Sequence, residues 1–254
     1  MRTRAPCPRR AGLPSGPGWH DGGVGSSRVL GVDGYRDGWV GLVLADDVII
    51  GHVHADIGGL VALAAAGGPI DVIGIDIPIG LAEASVRQAD LLARQALGAR
   101  RSSVFLTPVR PALVLESHRA ASDLNKELTG LGISTQAFNL RDKILQVDTW
   151  RAEASCPVLE VHPELSFAAM NDGQPLAASK ATWPGAVQRR QLLSAQGIRL
   201  RDDVIPAGAR AGVDDVLDAA AVAWTARRQA RGEAQRRPAE PEIFTDGVDC
   251  AIWT

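Results

Sequence analysis

The apolar positions between Arg28 and Asp56 fall into three short runs, RVLGVDG, WVGLVLADD and VIIGHVHAD, separated by Tyr35-Arg36-Asp37-Gly38 and by Asp46-Asp47. Runs this rich in β-branched residues, broken by Gly and Asp, predict three strands. Their connections are too short for a crossover, so the strands form an antiparallel meander. The spacing changes at IGGLVALAAAG, Ile57 to Gly67, which predicts a short apolar helix ended by glycines. VIGIDIPIGL, Val72 to Leu81, follows without alternation and reads as a fourth strand buried on both faces. The helix before it lets that strand run parallel to the first.

Further on, helical spacing predicts helices from Ala82 to about Leu97 (stopped by Gly98), from Glu116 to Leu131 and from Gln136 to Asp148. PVLEV, Pro157 to Val161, reads as a fifth strand ending in the turn Glu160-Val161-His162-Pro163-Glu164. Residues 171–213 read as a connecting segment with a helix over Gly185 to Gly197, and Ala211 to Gly232 as a long helix with an acidic start and a basic last turn. The final residues, 233–254, read as a Pro-rich linker and a short segment, EIFTDGVDCAIW, that adds an edge strand. The pattern is α/β: a mixed five-stranded sheet in the order β-β-β-α-β-α-β-α, flanked by helices, with a helical insertion over about 82–150.

A chain of 254 residues, 46% hydrophobic, can bury a full core, and residues 28–254 are taken as one domain. The net charge of -2 argues against a protein that coats long nucleic acid by bulk electrostatics. Cys7, Cys156 and Cys250 are scattered without metal-ligand spacing, which favours a reduced, cytoplasmic compartment over a disulfide framework. Residues 1–27 are rich in Arg, Pro and Gly and read as a disordered extension or an over-long translation start. Arg9-Arg10 has no apolar run behind it, so no secretion signal is expected. No stretch approaches the ~18 consecutive apolar residues that span a membrane.

The candidate chemistry is acidic. Asp33 stands in the first strand and Asp76 at the carboxyl end of the fourth, where open α/β sheets bind ligands. Asp76 has a second reading, as a cap for the turn at Pro78 and Gly80. Each acid has a Gly two residues before it, in GVDG and GIDIP. In DDVLDA, Asp215 and Asp218 are three apart and share a helix face, while Asp214 is placed to cap the helix. Dipole compensation accounts for Asp215 but poorly for Asp218, which is already inside the helix. Asp33, Asp76, Asp215 and Asp218 together, with no Lys or Arg between them, would repel unless a divalent cation intervened. Oxygen ligands without Cys select Mg²⁺ or Mn²⁺, and two such ions ~4 Å apart suit phosphodiester hydrolysis. Around this cluster, Arg100, Arg101 and Ser102 offer a phosphate-binding loop, Lys143 a further cation, and Glu160 and His162 a carboxylate and an imidazole at a strand end. His162 reads equally as a scaffold residue. Arg87, Asp90 and Arg94 fall at helical spacing and predict an ion-pair ladder along one helix face.

Taken in order, GVDGYRDGW, GIDIPIGL, ARQALGARRSSVF, KILQVD, EVHPELSF and DDVLDA resemble domain-of-unknown-function family 429 over about Val29 to Gly232. Tyr35, where the family has Cys, and Gln146, where it has Glu, depart from its pattern. The resemblance implies a ribonuclease H-like fold, similar in layout to Holliday-junction resolvases, and metal-binding acids at Asp33, Asp76, Asp215 and Asp218. The expected activity is that of a Mg²⁺- or Mn²⁺-dependent nuclease working by a two-metal mechanism, with Glu160 added to its catalytic acids. The expected partner is a nucleic acid, RNA or DNA undetermined; a homodimer is admitted, and no membrane partner is expected. Two other functions compete. One is a non-catalytic nucleic-acid or protein-binding module on the same fold. The other is a phosphotransferase of the actin-like kinase type, which needs a second lobe with its own Gly-rich phosphate turn, and glycines are sparse after residue 150.

Overall fold

In the computed structural model, residues 27–254 are described. All but Ser27 of the segment read as a disordered extension lies outside them. β1 (Arg28–Tyr35), β2 (Gly38–Ala45) and β3 (Val48–His54) form the expected antiparallel meander. Asp56 then caps α1 (Ile57–Ala65), its carboxylate accepting from the Gly59 amide at 2.7 Å. α1 returns the chain to β4 (Val72–Ile75), which pairs parallel to β1.

Among the described residues the sheet has seven strands rather than five, in the order β3-β2-β1-β4-β5-β7-β6. β5 (Val158–Val161) pairs parallel to β4, and the C-terminal β7 (Asp249–Trp253) adds parallel to β5. β6 (Arg236–Ile243), inside the stretch expected to be a linker, pairs antiparallel to β7 at the outer edge. Its sequence RRPAEPEI hides this role because prolines argue against a strand. Pro238 and Pro241 fall at the sheet's edge in the register shift between Arg237 and Glu242, where the ladder is interrupted and asks no N–H of them.

Helices cover both faces. α2 (Gln88–Leu97) begins six residues later than expected, with Arg87 extended at its N-cap. Two 3₁₀ turns, Gly98–Ser103, follow, and then α3 (Arg110–Leu113), α4 (His118–Thr129), α5 (Thr135–Asn139) and α6 (Arg141–Trp150). α7 (Pro163–Met170) begins where a turn was expected, with Pro163 in its first turn, a position that suits proline. α8 (Trp183–Ala195) and α9 (Val213–Ala230) complete the α-helices of the described residues. On one sheet face, Val29, Val40, Leu42, Val72 and Val161 pack on the Ala-rich side of α9. On the other, Leu30, Val32, Trp39, Ile73 and Ile75 pack on Ile57 and Leu60 of α1 and on Ile144 and Val147 of α6. Burial on both faces explains the unbroken apolar runs.

Two glycines set how closely α9 approaches. A Cβ on Gly31 would stand 2.1 Å from the Ala223 nitrogen and 2.3 Å from the Ala219 oxygen. One on Gly74, its register partner across β1 and β4, would stand 2.8 Å from Val222 Cγ1. The helix backbone therefore lies directly on the sheet, in contact that only glycine permits.

Candidate metal centre at the strand ends

Alternation along a strand puts residues i and i+2 on one face. Asp33 and Asp76 therefore emerge on the same side as Gly31 and Gly74, against the first turns of α9. Asp218 projects from α9 to meet them. One carboxylate oxygen from each of Asp33, Asp76 and Asp218 lies within 4.8 Å of the others. The cluster lines a cavity of about 310 Å³ at the carboxyl ends of β1 and β4, with Arg100, His162, Glu164 and Lys180 on its walls.

The electrostatics follow from this crowding. Burial, then the charges of Asp76 and Asp218, push the Asp33 carboxyl well above the usual range. Burial raises Asp76 to about 7, with Lys180 opposing and Glu164 adding. Asp218 is likewise raised to about 7 by burial against the pull of Lys180. Among the described residues, two buried carboxylate oxygens have no partner: Asp218 Oδ1 and Glu164 Oε2, both on nearly fully buried side chains. An unpaired buried carboxylate oxygen is expensive, and converging hard oxygen donors fit Mg²⁺ or Mn²⁺. The residues present thus suit the ion that the sequence implied.

The other expected site residues divide. Asp215 lines the cavity, but its Oδ2 accepts the Gly212 amide at 2.7 Å. It closes the N-terminus of α9, the task expected of Asp214. His162 accompanies the cluster; its Nε2 lies 3.2 Å from the Ser103 carbonyl oxygen while its Nδ1 has no partner. Burial lowers its pKa. Arg100 reaches the cavity, whereas Arg101 lies on a separate surface with Arg94 and Gly98, and Ser102 is exposed beside it. Lys143 supports the β1–β2 turn instead: its Nζ donates to the Gly38 oxygen at 2.6 Å and sits 4.3 Å from the Trp39 ring centroid.

Glu160 does not join the cluster. Arg87 grips it with both terminal nitrogens, at 2.7 Å and 2.9 Å, and the Ile79 amide donates to it at 2.7 Å. Arg87 is buried and also ion-paired with Asp90, whose other oxygen accepts from the Thr107 amide. The predicted ladder along a helix face is therefore a buried Asp90–Arg87–Glu160 bridge from α2 to β5. Arg94 lies apart, donating to the Val104 carbonyl.

Lys180 was missed. Its Nζ stands 2.5 Å from Asp218 Oδ2 and 3.9 Å from Asp214, so the acids are not free of a cation after all. It comes from the segment between α7 and α8, where nothing local in the sequence marks it. Glu164, noted in the turn after β5, is held by the buried Arg189 at 2.5 Å.

The fold and the cluster define an α/β protein with an acidic cavity where its central parallel strands end. The chain belongs to the family described as "Protein of unknown function (DUF429)", whose model matches residues 31–243. No curated protein and no solved structure matches it. Among the described residues, no helix is long and apolar enough to cross a membrane.

Proposed function

We propose that this protein is a divalent-metal-dependent nuclease of ribonuclease H-like fold that hydrolyses phosphodiester bonds. The observation that carries the reading is the convergence of Asp33, Asp76 and Asp218 within 4.8 Å, beside the unpartnered Asp218 Oδ1. The fold part is supported by the antiparallel β1–β3 meander, the crossover through α1 and the parallel β4. Asp33, Asp76 and Asp218 would hold Mg²⁺ or Mn²⁺, which supplies Lewis acidity toward a phosphodiester and its attacking water. Arg100 offers the cavity a guanidinium suited to a phosphate oxygen. Asp215 fixes the first turn of α9 and with it the position of Asp218. The test is incubation with junction, RNA–DNA hybrid and single-stranded substrates in Mn²⁺: cleavage is expected, and Asp76→Asn abolishes it. No cleavage of any substrate together with no bound metal would sink the reading.

One observation favours a second reading, a non-catalytic binding module. The Lys180–Asp218 pair neutralises part of the cluster without an ion. On that reading Asp33→Asn and Asp76→Asn leave partner binding intact. The actin-like phosphotransferase has less support, since the described strands form a single sheet.

A further inference from the structure

We propose that the Lys180 ammonium fills one of the two cation positions expected of such a cluster, so that the site takes a single divalent ion. This deepens the nuclease reading and rests on its metal requirement.

The commitments of the oxygens carry the inference. Asp33 Oδ1 accepts the Gly34 amide at 2.7 Å, and Asp218 Oδ2 is held by Lys180 at 2.5 Å. That leaves one uncommitted oxygen on each of these two acids. Asp76 keeps both oxygens for an ion, but a second ion at Asp218 would need its Oδ2, which is already bound to the lysine. Charge points the same way. With the three carboxylates held ionised by a cation, they and one ammonium leave two negative charges, which one Mg²⁺ or Mn²⁺ balances. Of the other charged groups on the cavity wall, Glu164 is paired with Arg189 through Oε1, and Asp215, at the positive end of α9, is offset by Arg100. Among the described residues, Lys180 is the cation ion-paired with a member of the triad. Its charge also acts on Asp33 and Asp76. A lysine on a four-carbon stem can hold this position as a compact point charge.

Calorimetric titration of the full chain with Mn²⁺ tests the inference, with circular dichroism to verify folding. The expected stoichiometry is one ion for the wild type, one for Lys180→Arg and two for Lys180→Met. Two ions in the wild type would overturn the inference and leave the metal-dependent reading standing. One ion in both the wild type and a folded Lys180→Met would also overturn it, because the lysine would then not occupy a metal position. No binding by either removes the metal reading itself. If Lys180→Met does not fold, Lys180→Gln replaces it, and the wild-type stoichiometry is decisive against the inference whenever it exceeds one.

Discussion

Gly31 and Gly74 lie opposite each other in the parallel β1–β4 ladder, each two residues ahead of an acid of the triad. Their shared lack of a side chain lets α9 rest on the sheet, and that contact brings Asp218 to Asp33 and Asp76. The repeated Gly-x-Asp is thus one device: the glycine admits the helix and the acid meets it.

Replacing these glycines should separate the two contacts. In Gly31→Ala the new methyl meets helix backbone at 2.1 Å, which cannot yield without moving α9. A loss of about 3 kcal/mol or more is expected by chemical denaturation. Gly74→Ala meets a Val222 methyl at 2.8 Å and backbone, the Val222 oxygen, only at 3.2 Å, so a smaller loss of about 1–2 kcal/mol is expected. Equal losses would show that α9 is not seated on the Gly31 backbone.

Without a metal ion, the acids should make stability fall as pH rises. Asp76 and Asp218 titrate near 3.8 in the unfolded chain and near 7 in the folded protein. The folded state therefore binds more protons between those values, and each acid's penalty grows from about pH 4 to about pH 7 and is full above it. Asp76→Asn removes its share, so it should stabilise the metal-free protein at pH 8, by up to about 4 kcal/mol. Near pH 4 the two proteins should converge. Mn²⁺ should reverse the order at pH 8, raising the Tm of the wild type and not that of the variant. Thermal melts in chelator and in Mn²⁺ across this range check both halves.

Arg87 and Glu160 give a test of whether that acid works in catalysis or in the scaffold. Arg87→Met leaves Asp90 and Glu160 buried without their cation, and a loss of about 3–5 kcal/mol is expected. Glu160→Gln keeps the shape and an acceptor for the Ile79 amide, so it should fold with a smaller loss and retain cleavage per folded molecule. Abolished cleavage at unchanged Tm would place Glu160 in the chemistry.

How far the sequence foretold this arrangement depended on whether the signal was local. The meander, α1 and β4 were legible because their apolar runs and turns are contiguous, and Asp33 and Asp76 came with them. Asp218 was legible because an acid inside an Ala-rich helix has no local explanation. Lys180 was not, since it reaches Asp218 across 38 residues of chain from a segment without periodicity. Arg87 and Asp90 misled for the opposite reason: their spacing has a sufficient local explanation, whereas the decisive partner, Glu160, lies 73 residues away. β6 was hidden by prolines that only its edge position tolerates. Gln146, read as a departure from the expected pattern, is accommodated in the packing, since its Oε1 accepts from both the Trp39 indole and the Ile57 amide.

Arg100 and Arg101 are adjacent in sequence yet should contribute unequally to nucleic-acid binding. Arg100 is half-buried on the wall of the acidic cavity, next to where a scissile phosphate would meet Asp33 and Asp76. Arg101 is exposed on a separate surface. A charge-assisted contact to phosphate contributes about 1.5–3 kcal/mol where it is partly shielded from water, and an exposed one is screened by salt. Arg100→Ala should therefore weaken binding of a cleavable oligonucleotide by about ten-fold or more at physiological salt. Arg101→Ala should change it about two-fold, an effect that fades as salt is raised. Titrations by fluorescence anisotropy in Ca²⁺, with salt varied, separate the two. Equal weakening by both variants would mean that the substrate lies along the outer face of the 3₁₀ turns rather than in the cavity, and the triad would then need a different route to its phosphate.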